Sequence, residues 1–396
     1  MVIEDFAIEA KGVIKLSERL REVALLFLKL GAFSFGGPAV YIALMHRETV
    51  HHHRWIDEQR FLDLVGATNL IPGPNATEMA IHLGLIRAGW RGLITAGTLF
   101  VLPGMAATLL VAWAYVTYGS IPEVGWVLYA VKPVVIGIVI EALCSLGRKG
   151  IKGPTTATVG IGIVALYLLG FNEIALLFGG AAVVLLVHSG RRLMKHSLFA
   201  VVSIPALFQI SSSALNAAVV PFSQTTLFLS CLKIGSVLFG SGYVLLAFLR
   251  SEFVANLGWL TNQQVIDAIV AGQITPGPVF SSVAFIGYLV GGWPSALLAT
   301  LGMFLPSFLF VGLLSRILPF VRKSPFAATF LDGVNAASLG LMAGVTVQLG
   351  QTALIDTFTV VLLAITLFVI FRFRISSVWL ILGAGLLGTI YKFLLA

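Results

Sequence analysis

Two short stretches decide how this chain folds: Asn69-Leu70-Ile71-Pro72-Gly73-Pro74 and Gln273-Ile274-Thr275-Pro276-Gly277-Pro278. Both lie inside segments that are otherwise apolar. Proline cannot donate a backbone hydrogen bond and disfavours helix in the residue before it, so each stretch predicts the end of one helix and the start of another. In a bilayer, such a break is tolerated only where it is buried in protein or lines a wet cavity. Breaks at matching positions of two halves indicate a transporter binding site.

The composition predicts an all-α, polytopic membrane protein. Of the 396 residues, 58% are hydrophobic and only 11% are charged, a balance that no soluble fold needs. The net charge of +8 does not indicate nucleic-acid binding, because the basic residues sit in short loops, as the positive-inside rule predicts. About thirteen apolar segments have roughly the length of a bilayer crossing: 23–45, 61–86, 93–118, 126–147, 154–170, 174–189, 198–220, 226–250, 264–288, 296–315, 325–348, 358–371 and 376–393.

The amino-terminal residues and the two cysteines each allow a simple prediction. Residues 1–22 mix acidic and basic side chains, lack the features of a signal peptide, and predict an amphipathic surface segment. Cys144 and Cys231 both lie in apolar segments, so no disulfide framework is expected.

The chain contains an internal repeat. Residues 204 positions apart share unusual identities, and after a one-residue slip the offset becomes 203. Matched pairs include Lys29 and Lys233, Gly31 and Gly235, Glu48 and Glu252, Trp55 and Trp259, Asp63 and Asp267, the two Pro-Gly-Pro elements, and Pro103 and Pro306. Chance does not keep lysine, tryptophan, aspartate and Pro-Gly-Pro in one register.

The second repeat is predicted to sit upside down in the membrane. Six segments in the first repeat, 23–190, and one linking transmembrane helix, 198–220, put the second repeat, 226–393, in the opposite orientation. Loop charges alternate accordingly: 148–153 is basic, whereas the matching 349–357 has no basic residue. Under the positive-inside rule, the amino terminus is cytoplasmic and the carboxyl end lies outside.

Loop 46–60 leaves two arrangements open. It carries Arg47, Arg54 and Arg60 together with four histidines. If segments 23–45 and 61–86 each cross the membrane once, the loop lies outside. If both segments are re-entrant hairpins, it lies inside, where its charges fit better.

A glycine-rich stretch after each matched lysine suits an anion. Glycines let backbone N–H groups approach a ligand, a helix that starts after them directs its positive end there, and a lysine adds a full charge. Close helix packing through glycine and lysines that snorkel to the surface are the alternative explanations. The stretches are Leu28-Lys29-Leu30-Gly31-Ala32-Phe33-Ser34-Phe35-Gly36-Gly37-Pro38 and Leu232-Lys233-Ile234-Gly235-Ser236-Val237-Leu238-Phe239-Gly240-Ser241-Gly242.

The same residues carry a resemblance to a known family. In the first half they are Phe33-Ser34-Phe35-Gly36-Gly37-Pro38, Trp55-Ile56-Asp57-Glu58 and Pro72-Gly73-Pro74. In the second half they are Phe239-Gly240-Ser241-Gly242-Tyr243-Val244-Leu245, Gly258-Trp259-Leu260-Thr261 and Gly272-Gln273-Ile274-Thr275-Pro276-Gly277-Pro278. Over almost its whole length, the chain resembles the long, two-domain form of the chromate ion transporter family.

The resemblance implies a secondary transporter of the inner, cytoplasmic membrane. It would export chromate, a sulfate-like dianion, by membrane potential or proton coupling, and so give chromate resistance. The chain departs from the family's pattern at Ser241, where a third glycine is common, and at Asn75 and Glu78, where small hydroxyl residues are common. An ionised Glu78 would repel a dianion, so its place beside the route suggests a proton carrier.

Candidate site residues therefore surround the breaks. The substrate-binding candidates are Lys29, Ser34, Gly36, Gly37, Asn69, Pro72, Gly73, Pro74, Asn75, Lys233, Gly240, Ser241, Gly242, Gln273, Pro276, Gly277 and Pro278. Proton-coupling candidates are Asp63, Glu78 and Asp267. The aspartates equally suit caps or ion pairs with Lys29 and Lys233, and the amides of Asn69 and Gln273 equally suit carbonyls of the broken helices.

The remaining expectations are negative or open. His51-His52-His53 predicts a solvated loop rather than a metal site, because adjacent residues do not converge on a metal. We expect no cofactor, no enzymatic activity and no nucleic-acid partner; the expected partners are the oxyanion and the lipid bilayer, with a homodimer possible. Sulfate or another oxyanion as substrate, and an anion channel, stay open as alternatives.

Overall fold

The computed structural model describes residues 15–34, 38–119, 121–193, 220–239, 242–315, 324–373 and 375–395, and these form helices without a strand. Several sequence predictions lie outside these residues. They concern Gly36, Gly37, Gly240, Ser241, residues 1–14 of the amphipathic segment, and all of the linking helix 198–220 except Val220. Residues 16–22 belong to the first helix rather than to a separate surface segment.

Each repeat supplies seven α-helices in the same order within the described ranges. The first repeat contains α1 (Leu16–Phe33), α2 (Pro38–His46), α3 (Glu58–Thr68), α4 (Asn75–Tyr118), α5 (Pro122–Gly150), α6 (Pro154–Leu168) and α7 (Glu173–Leu193). The second contains α8 (Gln224–Val237), α9 (Leu245–Leu249), α10 (Asn262–Ile274), α11 (Ser282–Leu314), α12 (Pro325–Ala353), α13 (Thr357–Phe373) and α14 (Ser377–Leu395). A π-helical turn follows α2 at Arg47–His52 and α9 at Arg250–Asn256, and a 3₁₀ turn at Val279–Ser281 precedes α11.

The helices are those of a multi-pass membrane protein. Four of them contain a stretch long and apolar enough to span a bilayer: Asn75–Tyr118, Val124–Gly150, Val279–Leu313 and Phe326–Ala353. Both Pro-Gly-Pro elements separate two helices, which confirms the predicted breaks: α3 ends at Thr68 before α4, and α10 ends at Ile274 before the 3₁₀ turn.

The helices α4 and α11 each fold back on themselves, at turns that the sequence predicted only as ordinary loops. Gly89 (φ +62°, ψ −152°) and Gly292 (φ +72°, ψ −160°) adopt a conformation open only to glycine. The two arms then pack closely, since a Cβ on Gly84 would lie 2.3 Å from the Gly92 carbonyl oxygen. We call 75–87 and 90–118 the inner and outer arms of α4, and 282–290 and 293–314 those of α11.

The first repeat begins with two re-entrant hairpins. The Glu22 carboxylate on α1 accepts a hydrogen bond from Arg87 (2.7 Å) at the end of the inner arm of α4. The Arg87 guanidinium also lies 5.6 Å from the centroid of the Trp55 ring, which precedes α3. The start of α1, the loop before α3 and the end of the inner arm therefore share one face. Segments 23–45 and 61–86 are re-entrant, and loop 46–60 lies on the same face as the start of α1.

The second repeat has the inverted orientation. The outer arms of α4 and α11 run antiparallel: Trp90 packs on Gly312 at one end, and Leu109 packs with Ala296 at the other. Trp90 and the matched Trp293 therefore lie at opposite faces of the protein. The fold is two inverted helical repeats, as the loop charges predicted.

The long helices α5 and α12 each pack against helices of the opposite repeat. Gly137 of α5 packs on Thr366 of α13, and Gly340 of α12 packs on Ile163 of α6; a Cβ on either glycine would lie 2.8 Å from its neighbour. One buried apolar cluster consequently contains side chains from both repeats. The packing joins the repeats into a single core.

The inverted arrangement can be tested by labelling. Trp90 and Trp293 are matched by the repeat and are 57% and 50% exposed. In a background with Cys144→Ser and Cys231→Ala, we expect Trp90→Cys and Trp293→Cys to react with an impermeant maleimide from opposite sides of the membrane. Labelling of both cysteines from one side would contradict the inverted fold.

Two matched glycines lie where any larger residue would clash with a neighbouring helix. A Cβ on Gly31 would lie 2.5 Å from the Phe100 carbonyl oxygen, and one on Gly235 would lie 2.2 Å from that of Met303. Overpacking costs about 1–3 kcal/mol, so we expect Gly31→Ala and Gly235→Ala to lower the melting temperature of the purified protein. Gly147→Ala is the control, since nothing lies within 4 Å of that position. Equal melting temperatures for all three variants would refute the close packing.

Candidate functional site

Each break is braced inside the protein by the end of a helix from the opposite repeat. The Gly73 N–H donates to the Leu238 carbonyl (2.8 Å), and the Gly277 N–H donates to the Ser34 carbonyl (3.3 Å). The two donor residues are 204 positions apart in the sequence, and so are the two acceptor residues. The same contact therefore occurs twice, related by the inverted symmetry of the repeats. Ser34 and Leu238 cap the carboxyl ends of α1 and α8. Each repeat therefore satisfies a backbone donor in the break of the other, where no lipid could do so.

Tyr41 strengthens one side of this brace. Its buried hydroxyl lies 2.9 Å from the Ser34 carbonyl oxygen and 2.6 Å from that of Gly277. The matched residue of the second repeat is Leu245, which has no hydroxyl. The backbone junction is thus symmetric, whereas its side-chain hydrogen bonds are not.

Each break packs against a small residue of the opposite repeat. Gly73 (φ +138°) lies so close to Ser307 that a Cβ would approach its Oγ to 2.5 Å. Gly277 (φ +91°) lies equally close to Gly104, where a Cβ would approach the Cα to 2.8 Å. The breaks therefore need glycine for both conformation and space. Their N–H groups already have carbonyl partners, so these two amides are not free for an anion.

A fully buried carboxylate lies beside the first break. Glu78, in the first turn of α4, is 0% exposed. Ser307 Oγ donates to Glu78 Oε1 (3.3 Å), while Oε2 has no partner among the described residues. A buried, ionised carboxylate is costly when one of its oxygens has no partner, so Glu78 favours binding a proton or a hydrogen-bond donor.

Several buried donors near the breaks have no hydrogen-bond partner within the described ranges. They are the hydroxyls of Thr77, Ser281 and Ser282. The Gln273 side chain has the Tyr243 hydroxyl as its neighbour. Buried polar groups are normally satisfied, so a group of open donors indicates a place for a ligand or water. Glu78 matches Ser282 at an offset of 204 and Ser281 at an offset of 203, so the second break has a hydroxyl where the first has a carboxylate.

The first break also carries an amide pair. Asn75 Nδ2 donates to Asn69 Oδ1 (2.8 Å), and Asn69 is exposed while Asn75 is partly buried. These amides contact each other rather than the broken-helix carbonyls. Of the other candidates, Ser34 is buried and Gly242 packs beside Val279 and Phe280.

The two matched lysines pair with matched glutamates. Lys29 Nζ lies 3.9 Å from Glu48, and Lys233 forms an ion pair with Glu252. Ser230 (2.6 Å) and Asn256 (3.2 Å) also donate to Glu252. A carboxylate of the adjacent π-helical turn therefore neutralises each lysine, and neither lysine presents an unpaired charge to an anion. The Lys29 side chain is 66% exposed and lies in an apolar surface groove with Leu25 and Leu102, as a snorkelling residue would.

The aspartate candidates have other partners than those expected. Asp267 is buried, accepts a hydrogen bond from the Tyr115 hydroxyl (3.0 Å), and lies 3.7 Å from Lys132 Nζ. Its match Asp63 accepts a hydrogen bond from Gln59 (3.2 Å). The suggested pairing of the aspartates with Lys29 and Lys233 is corrected accordingly.

Sequence reasoning missed several residues of this site. Lys132 was visible as a lysine within the apolar segment 126–147, and its ion pair with Asp267 is buried on both sides. Ser281 and Ser282 directly follow the second break, which was the available signal. Ser307 and Tyr115 come from distant segments, and nothing near them in the sequence marks their role.

The comparisons with known proteins agree on one family. A family model described as chromate transporter matches residues 21–186 and again 225–389. The chain is 32% identical to a chromate transport protein of Cupriavidus metallidurans, covering 94% of this chain and 93% of that protein. It is 32% identical to a probable chromate transport protein of Synechococcus elongatus (87% and 89%) and 30% identical to a chromate transport protein of Pseudomonas aeruginosa (91% and 90%). No solved structure matches. With the same family model matching both repeats and full-length relatives at this identity, the chain belongs to the chromate transporter family.

Proposed function

We propose that this protein exports chromate across the cytoplasmic membrane and binds it beside the two braced breaks. One observation carries the proposal: the hydroxyl groups of Thr77, Ser281 and Ser282 lie buried beside the braced Pro-Gly-Pro elements, with no hydrogen-bond partner among the described residues. Tetrahedral oxyanions accept several hydrogen bonds, and such donors suit them. The family and its relatives named for chromate transport support chromate as the substrate.

Two helix ends add positive potential to this place. The inner arm of α4 starts at Asn75, directly after the first break, and the second break is followed by the 3₁₀ turn and α11. The first N–H groups of a helix are unpaired within it, and its dipole directs positive charge at that end. Discontinuous helices use this feature for anionic substrates in other transporters. The anion site we propose is thus made of helix ends and neutral donors, with Lys29 and Lys233 positioning the hairpins through their glutamates.

The orientation we propose places the start of α1 in the cytoplasm and the carboxyl end outside. Arg87, Arg91 and the basic loop 46–60 share the face of α1's amino end, whereas the matching turn 291–295 has no basic residue. The positive-inside rule assigns the basic face to the cytoplasm. In an interior that is 100 mV negative, a dianion gains about 4.6 kcal/mol on leaving, at about 2.3 kcal/mol per charge, so membrane potential drives export.

Glu78 is our proposed proton-linked residue. Two unit charges 4 Å apart interact by about 4 kcal/mol at an effective dielectric constant of 20, so an ionised Glu78 repels a neighbouring dianion strongly. A protonated Glu78 removes this repulsion and can donate through the oxygen that has no partner among the described residues. Anion occupancy and protonation of Glu78 are then linked. Asp267 is a second candidate, because a proton on it would free the charge of Lys132.

The open hydroxyls can be tested by removing them. We expect Ser281→Ala with Ser282→Ala to raise the KM for labelled chromate in everted vesicles tenfold or more, equivalent to about 1.4 kcal/mol. Because neither hydroxyl has a partner among the described residues, the melting temperature should not fall. Thr346→Ala is the control, since that buried hydroxyl already donates to the Met342 carbonyl (2.6 Å). A normal KM in the double variant would exclude these serines from the site, and competition by sulfate would report the breadth of substrate choice.

The proton link can be tested through pH. Wild-type chromate flux should rise as pH falls, since protonation of Glu78 removes a repelling charge. Glu78→Gln is permanently neutral, so we expect it to keep transporting with at least a fivefold weaker dependence on pH. Glu141→Gln is the matched control and should keep the wild-type pH profile. An unaltered pH profile in Glu78→Gln would rule out Glu78 as the linked group.

A further inference from the structure

Three side chains in and beside a loop that the sequence predicted to be solvated converge at the start of the first repeat. His46, His51 and Glu58 each offer one ligand atom, and these atoms all lie within 4.8 Å of one another. His46 Nε2 lies 2.8 Å from Glu58 Oε2, and the rings of His46 and His51 lie 5.0 Å apart. The sequence predicts a solvated loop and no metal site here, because the adjacent histidines at 51–53 do not converge and no carboxylate cluster has metal-site spacing. The cluster takes one histidine from that run and two residues from outside it.

The π-helical turn is the reason for the convergence. A π-helix bonds residue i to residue i+5, so residues five apart lie on one side of it. The turn at Arg47–His52 therefore places His51 over His46. The backbone holds this shape with two hydrogen bonds, from His53 N–H to the Glu48 carbonyl (2.8 Å) and from Trp55 N–H to the Thr49 carbonyl (2.7 Å).

Glu58 reaches the histidines because α3 begins there. Asp57 caps this helix by accepting a hydrogen bond from the Arg60 N–H (2.8 Å). The cap fixes the first turn of α3 against the π-helical turn. The three ligand residues are thus positioned by backbone structure.

The second repeat provides an internal comparison. It has the same π-helical turn at Arg250–Asn256, but the residues that match His46, His51 and Glu58 are Arg250, Ala255 and Asn262. The fold therefore does not require imidazoles or a carboxylate at these positions. Their presence in the first repeat alone calls for a reason other than folding.

We propose that His46, His51 and Glu58 form a binding site for a divalent transition-metal ion of the Zn²⁺ class. Two imidazoles and a carboxylate suit such borderline ions, and three protein ligands leave one position for water. Tetrahedral ligands about 2.0–2.1 Å from zinc are roughly 3.3 Å apart, which lies inside the separations seen here. A bound ion would tie the π-helical turn after α2 to the start of α3, and so join the two re-entrant hairpins of the first repeat.

The neighbouring histidines have other contacts and serve as controls. His52 Nδ1 lies 3.1 Å from Glu48, and the His53 ring lies 5.6 Å from that of Trp55. Both therefore point to partners outside the cluster. A nonspecific polyhistidine effect would involve His52 and His53 as much as His51.

Titration of the full-length protein with ZnCl₂ tests the site. The protein is purified in detergent without a polyhistidine tag, and binding is measured by calorimetry. We expect one saturable site, with Kd raised tenfold or more by His51→Ala and by Glu58→Gln and changed less than threefold by His52→Ala and His53→Ala. His51 and Glu58 are exposed, so both variants should fold, which size-exclusion chromatography checks. Absence of a saturable site, or an equal loss of affinity in His53→Ala, would overturn the proposal.

Discussion

Backbone N–H groups left open in an apolar interior are the constraint on which this structure depends. Each Pro-Gly-Pro element ends a helix inside the protein, where water and lipid cannot supply a partner reliably. The protein meets this need across the repeats, since the break of one donates to the capping carbonyl at the end of α1 or α8 in the other. The two halves consequently cannot be separated without exposing these groups. This explains why the outer arms, the breaks and the long helices α5 and α12 all join the two repeats.

The inverted scaffold carries an asymmetric set of side chains. Tyr41 braces one break, whereas Leu245 stands at the matching place. Glu78 lies beside the first break, whereas Ser281 and Ser282 follow the second, so a carboxylate in one repeat corresponds to a neutral hydroxyl in the other. Unequal polar groups are what would allow protons and an anion to be treated differently at the two sides.

The sequence predicted the architecture well because its signals are local or periodic. Pro-Gly-Pro, apolar segments and a constant offset between repeats determine the breaks and the inversion. It failed on the partner of Lys29, although Glu48 and Glu252 were visible as a matched pair, because only the fold brings the π-helical turn back onto α1. The turn at Gly89 lies in the gap predicted between segments 61–86 and 93–118, whereas its glycine-only conformation was not predicted. Ser307 was also beyond reach, since its contact with Glu78 joins residues 229 positions apart.

The bracing of the breaks by the opposite repeat is tested most directly by a cross-link at the second break. The hydroxyls of Thr108 and Thr275 lie 3.0 Å apart, one on the outer arm of α4 and the other at the second break. In the background lacking Cys144 and Cys231, Thr108→Cys with Thr275→Cys should form a disulfide on mild oxidation, because the separation suits one. With a protease site inserted between the repeats, the halves should then stay joined until a reductant is added. Halves that separate without reductant, after oxidation of a folded protein, would contradict the packing of this break against the opposite repeat.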